Sequence, residues 1–258
     1  MLAYTKLGKG INTLIFLHGF LENRKIWFDL AEDLASDFSI LLIDFPGHGL
    51  SKNIDGNPSV DQIAREVIRV ADHENIESFT VWGHSMGGYV ALAIADLFPQ
   101  RLDALVLMNS TTFADNVEKK LQRIKAKKTV EKNLKTLINL SIPNLFYQQK
   151  NEEKQAAIEV LKEIAYETSV EGAQYALDAM RLRPDRHKTL LQFPKPSLVI
   201  VGKYDQTVNP RELLACLENH PTVTTKTLST GHVSHYENYN EVLKIAWQFL
   251  RAVYYLSL

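Results

Sequence analysis

Two hydrophobic patterns alternate along the chain. Largely apolar runs occupy residues 12–17, 40–43, 79–82, 102–108 and 198–201, and a β-branched run occupies 222–228. Between them, apolar residues recur at three- and four-residue spacing: Trp27, Phe28, Leu30, Ala31, Leu34 and Ala35 within 23–36, and Val60, Ile63, Ala64, Val67, Ile68 and Ala71 within 59–74. The same spacing predicts helices over 89–97, which stops before Pro99, over 210–218, with Pro210 in its first turn, and over 240–255. Residues 2–10 read as a short polar β segment. Strands apolar on both faces, each followed by a helix, predict a mostly parallel sheet covered by helices on both sides.

From 111 to 190 the alternation stops. No β-rich run appears, and the stretch is rich in Lys, Glu and Gln with helical apolar spacing at Leu121 and Ile124, at Leu134, Leu137 and Ile138, and at Ile158, Leu161, Ile164 and Ala165. The expectation is an all-helical insertion, 111–190, between the two parts of an α/β core, 1–110 and 191–258. Its charge run from Glu118-Lys119-Lys120 to Lys127-Lys128 reads as a solvated helix face rather than a partner-binding patch.

Composition narrows the function classes. The 258 residues are 45% hydrophobic and 23% charged, enough for one sizeable core. With 29 basic and 30 acidic side chains, the chain has no overall field to steer nucleic acid or an anionic membrane, so a small-molecule substrate is expected. No basic leader precedes a long apolar stretch at the N-terminus, and no run of 18 apolar residues occurs, so a cytoplasmic location is expected. The single cysteine, Cys216, agrees with a reducing compartment and reads as inert packing on a helix.

The chemistry centres on Gly83-His84-Ser85-Met86-Gly87, a G-x-S-x-G between an apolar strand and a helical pattern. A strand that turns into a helix within so few residues strains its central residue, and flanking glycines remove the Cβ atoms that would collide. Ser85 would stand on that bend, facing the N–H groups and positive end of the helix that follows. A serine hydroxyl needs a base, and the base needs a carboxylate to fix its tautomer. Asp205 follows the strand at 198–201 and His232 follows the strand at 222–228, which brings both to the carboxyl edge of the sheet with Ser85. His235, three residues on, is a second candidate base. His48 and His84 lie beside glycines, but no H-x-x-x-H or Cys cluster supports a metal, and neither a metal nor a cofactor is expected. Asp44 opens the turn Pro46-Gly47-His48-Gly49, where its side chain readily accepts from nearby N–H groups.

The order Ser85, Asp205, His232 resembles that of the α/β-hydrolase superfamily, in particular its small serine members with a helical cap. The resemblance covers nearly the whole chain: His18-Gly19-Phe20, Asp44 to Ser51, the elbow at Ser85, Val201 to Asp205, and Gly231-His232 to Glu237. It implies an α/β-hydrolase fold with an inserted all-helical cap, Ser85 as nucleophile, His232 rather than His235 as base, and Asp205 as orienting acid. It further implies an oxyanion hole made by the backbone N–H groups of Phe20 and Met86, such donors being worth about 3 kcal/mol each in the transition state, with both side chains walling the pocket. Where the family can place a second acid, this chain has Asn109.

Hydrolysis of a small carboxylic ester through an acyl-enzyme follows from this set. One alternative is a carbon–carbon hydrolase or lyase similar to the menaquinone-pathway synthase, which would need cationic groups for a carboxylated substrate, Arg181 or Arg183 being the candidates. Another is a slow-turnover ligand-sensing relative.

Overall fold

The computed structural model describes residues 1–147, 152–218 and 220–255. Strands β1 (Tyr4–Leu7), β2 (Thr13–Leu17), β3 (Ser39–Ile43), β4 (Phe79–His84), β5 (Leu102–Met108), β6 (Ser197–Gly202) and β7 (Val223–Leu228) form one sheet in the order β1-β3-β2-β4-β5-β6-β7. Only β1 runs antiparallel, against β3; every other pairing is parallel. The central strands β2 and β4 are buried at every position, as strands covered on both faces must be. Edge strand β7 instead exposes Thr224 to Thr227, and its polar residues leave an edge unattractive to further pairing.

Helices α1 (Phe28–Leu34), α2 (Val60–His73) and α3 (Met86–Leu97) follow the first strands of the core. Helix α3 is buried from Met86 to Ala95 and packs on β4 and β5. It opens three residues before the position the apolar spacing predicts, because Gly87 and Gly88, poor helix formers, are helical here for a tertiary reason. A Cβ on Gly87 would lie 2.2 Å from the Leu17 carbonyl oxygen, and one on Gly88 would lie 2.3 Å from Ser110 Oγ.

Between β5 and β6 the described chain is helical, with α4 (Val117–Ser141), a 3₁₀ turn at Ile142–Leu145, α5 (Glu152–Tyr166), α6 (Val170–Leu182) and α7 (His187–Gln192). Helix α4 packs on α5 and α6, while α7 packs back on α3. The first half of α4 reverses the expected faces. Leu121 and Ile124 are 53% and 38% exposed, whereas Arg123 and Lys127 turn inward to pair with Asp115 and Asp178. Carboxylates on the facing segments, Asp115 buried and Asp178 partly buried, take up the cationic stripe.

Helix α8 (Pro210–Leu217) connects β6 to β7, and Cys216 is exposed on it rather than packed as its helical setting suggested. A four-residue helix, α9 (Ser234–Glu237), follows β7 directly, and α10 (Tyr239–Tyr254) closes the fold, with Trp247 and Tyr254 against Phe38. Among the described residues no helix is long and apolar enough to cross a membrane.

Candidate active site

The strand–helix bend carries Ser85 at φ 49° and ψ −112°, in the left-handed half of backbone space that a side chain rarely occupies. Two hydrogen bonds hold the bend: the Ser85 N–H donates to the Met108 carbonyl at 2.9 Å, and Ser110 Oγ donates to the Ser85 carbonyl at 2.8 Å. Gly83 closes it from below, since a Cβ there would fall 2.4 Å from the Gly87 carbonyl. The strain is therefore over-determined by packing against β2 and β5, and the hydroxyl is displayed at the carboxyl edge of the sheet.

Three sequence-selected residues meet there. Ser85 Oγ lies 2.8 Å from His232 Nε2, and His232 Nδ1 lies 2.7 Å from Asp205 Oδ2. The other oxygen of Asp205 accepts the N–H groups of Thr207 at 2.8 Å and Val208 at 3.0 Å. Burial works against ionising Asp205, but the His232 charge and hydrogen bond, with these two N–H donors, outweigh it and hold the carboxyl below its ordinary range. With Nδ1 facing a carboxylate, His232 carries its proton there and leaves Nε2 to accept from Ser85. Asn109, at φ 48°, donates Nδ2 to Asp205 Oδ2 at 3.3 Å and to the Gly231 carbonyl at 3.0 Å, so it supports the acid from the position where a second acid might have stood.

His235 does not reach this line. It is buried, stacked on Trp27 at 5.2 Å, and burial together with the His84 and His232 charges pulls its pKa well below the ordinary value. Among the described residues the His48 ring has one hydrogen bond, Nδ1 donating to the Pro46 carbonyl at 2.9 Å, and burial lowers its pKa to about 4. Asp44 accepts the N–H of Arg24 at 2.8 Å and of Leu50 at 2.8 Å and pairs with the Arg24 side chain, a structural arrangement that shapes the turn. His84 is more than a spacer. Its Nδ1 lies 2.9 Å from Glu22 Oε2 and its Nε2 lies 2.9 Å from the His232 carbonyl oxygen. Burial alone would lower its pKa, yet the Glu22 charge and hydrogen bond and the His232 carbonyl raise it, and both ring nitrogens face oxygen acceptors. The same Glu22 oxygen accepts the Gly19 N–H at 2.6 Å. Sequence reading passed over Glu22, although an acid four residues past His18, on the loop leaving a buried strand, is a polar group with no room to reach bulk water.

Ser85 opens into a cavity of about 80 Å³ whose walls include Phe20, Leu21, Glu22, Tyr89, Arg123, Ile142, Leu145 and Met180. Phe20 lines it as expected; the Met86 side chain is buried in the core and does not. Of the two arginines singled out beforehand, Arg181 pairs with Asp178 at 3.0 Å and Arg183 is buried against Asp115 at 2.6 Å, so neither is offered to the cavity. Arg123, within the run read as a solvated face, is the arginine that lines it. The helical segment also holds this group: the His232 N–H donates to the Leu145 carbonyl at 2.7 Å, and Tyr147 stacks on Tyr204, beside Asp205, at 3.8 Å.

Known proteins share this fold. The chain is 28% identical to the dihydrolipoyllysine-residue acetyltransferase component of the acetoin cleaving system of Cupriavidus necator over 92% of its own length, but spans 63% of that protein. It thus covers less than two thirds of the length of several curated relatives it matches. It is 27% identical to the pimeloyl-[acyl-carrier protein] methyl ester esterase of Klebsiella pneumoniae, over 83% of this chain and 82% of that one. Among solved structures, a thermophilic esterase from Thermogutta terrifontis, malate bound, superposes with a TM-score of 0.92 at 27% identity, covering 98% of this chain and 93% of that one. Residues 12–239, which carry every strand after β1 and all the residues of the site, match the family model of the alpha/beta hydrolase fold, and the chain belongs to that family.

Proposed function

We propose that the protein hydrolyses a short carboxylic ester through an acyl-enzyme on Ser85. The observation that carries this reading is the unbroken line Ser85 Oγ, His232, Asp205, with contacts of 2.8 and 2.7 Å. His232 Nε2 takes the hydroxyl proton as Oγ bonds to the ester carbon, and the same proton passes to the departing alcohol as the acyl–oxygen bond breaks. Water then repeats the sequence, releasing the acid and returning the proton to Ser85. The carbonyl oxygen, negative in between, is taken by the N–H of Met86, which opens α3 and has no acceptor within the helix, and by that of Phe20 on the cavity wall. The residues of α4, α6 and the turn between α4 and α5 act as a cap that bounds the acyl group and excludes water. The esterases among its relatives support the reaction type.

A fluorophosphonate should label Ser85 and nothing in Ser85→Ala, located by mass spectrometry. A series of p-nitrophenyl esters from acetate to decanoate should show repeated turnover biased to short chains; a single burst without turnover would favour a sensing role. His232→Ala should cost on the order of a millionfold in kcat, while folded His235→Ala keeps most of it. The reverse ranking would overturn the assignment of the base.

A further inference from the structure

The ionic groups lining the Ser85 cavity do not balance. Glu22 and His84 pair with each other, and His232 is engaged by Asp205. That leaves Arg123. Its Nε donates to Asp115 Oδ2 at 2.5 Å, and among the described residues neither of its two terminal nitrogens has an acceptor. Asp115 does not neutralise it alone, because the same carboxylate takes Arg183 at 2.6 Å. Arg183 is saturated: it also donates to the carbonyls of Met180 and Phe113, lies 3.9 Å over the Tyr89 ring, and is buried. Lys119, one turn before Arg123, adds a third cation, with Nζ on the Thr207 carbonyl at 3.1 Å. One carboxylate therefore serves two guanidiniums, and the partner left short is the one facing the cavity.

A guanidinium fixed at Nε and free at both terminal nitrogens presents a planar fork whose natural complement is a carboxylate. The Asp115 contact orients that fork in advance, so little side-chain freedom is lost when an anion arrives. A structural ion pair alone would not need it, since Arg183 already compensates Asp115. We propose that Arg123 binds a free carboxylate on the substrate, so that the preferred substrates are short esters carrying a second, ionised carboxyl group. This rests on the ester-hydrolase reading and adds the substrate class to it. The cavity, about 80 Å³, suits an acid of a few carbons rather than a fatty acyl chain.

Monomethyl succinate and methyl levulinate have nearly the same shape and differ in the charge at one end, while acetoxyacetate carries the charge on the alcohol side. Whichever side faces Arg123, one charged ester should exceed methyl levulinate by about ten- to a hundredfold in kcat/KM, mostly through KM. That ratio should collapse toward one in Arg123→Gln and survive in part in Arg123→Lys, which keeps the charge without the fork. A wild-type ratio near one, or a ratio untouched in folded Arg123→Gln, would overturn the proposal. Calorimetric binding of succinate to Ser85→Ala, weakened by a similar factor when Arg123→Gln is added, gives a readout that needs no turnover. If no ester is hydrolysed and Ser85 takes no label, the hydrolase reading fails, and succinate binding alone then decides for or against Arg123.

Discussion

Single residues here act through charges they do not spend on solvent. Glu22 is 1% exposed, and one of its oxygens serves two masters, the Gly19 N–H of the loop after β2 and Nδ1 of His84. His84 in turn donates to the His232 carbonyl, so one buried Glu22–His84 contact ties the loop on one side of Ser85 to the His232 backbone on the other. Removing one partner of such a pair strands the other: Glu22→Gln should cost about 3–5 kcal/mol of stability, measured by urea unfolding at pH 7, and a cost below 1 kcal/mol would show that His84 is not charged. Asp205→Asn tests a different dependence. It leaves the contact with His232 possible but reverses the tautomer, and kcat should fall by roughly four orders of magnitude with the thermal midpoint little changed.

At the scale of elements, the bend and the cap helices obey different forces. The bend between β4 and α3 is a problem of atomic space, and Gly87→Ala, whose Cβ would sit 2.2 Å from the Leu17 carbonyl, should destabilise the fold by about 1–3 kcal/mol or more as β2 is pushed away. Helix α4 is a problem of charge. Lys119, Arg123 and Lys127 recur every four residues and so share one face, and that face meets Asp115 and Asp178 rather than water. From α6, Met180 closes the cavity, and Met180→Ala should shift the preferred p-nitrophenyl ester to longer chains while the shortest is turned over more slowly. An unchanged chain-length profile in the folded variant would mean that the core loops alone shape the acyl site.

The whole molecule joins its helical segment to the core by backbone hydrogen bonds at separated points, His232 N–H to Leu145 O and Ser169 N–H to Gly47 O. Gly47 and Gly172 let the Asp44–Ser51 turn and α6 touch, since a Cβ on Gly47 would lie 2.3 Å from the Gly172 Cα. The core also holds buried histidines whose pKa values shift in opposite directions. Burial keeps His18, His48 and His235 neutral, His48 with a pKa of about 4. The unfolded chain protonates them near pH 6.5, so below that pH each subtracts up to about 1.4 kcal/mol of stability per pH unit until its folded pKa is reached. His84 runs the other way: burial lowers its pKa but Glu22 raises it further, so its contribution is complete below 6.5 and is lost as pH rises through the raised value. Since His84 adds a constant below 6.5, the three neutral histidines set the trend, and the thermal midpoint should fall between pH 6.5 and 5 in scanning calorimetry; a rise over that interval would contradict it.

The period of the apolar residues determined the strands, the core helices and the break after β5, because burial on both faces of a parallel strand requires an unbroken apolar run and burial of one helix face requires three-four spacing. The same sequence carried Ser85, Asp205 and His232 to one edge, since residues just past a parallel strand emerge together whatever the loops do. What it did not determine depends on partners distant in the chain. His232 and His235 differ only in what surrounds them: one lies between Ser85 and Asp205, the other against Trp27. Glu22 has no periodic signature, and the four-residue spacing of Lys119, Arg123 and Lys127 does not say what that face meets, because a charge has a role only through the group it faces, His84 for Glu22 and Asp115 for Arg123. The reversed face of α4 has the same origin. Hydrophobic spacing reports which residues prefer to leave water, but where buried carboxylates wait on the facing segments, Coulomb attraction across the tertiary contact decides which face turns inward.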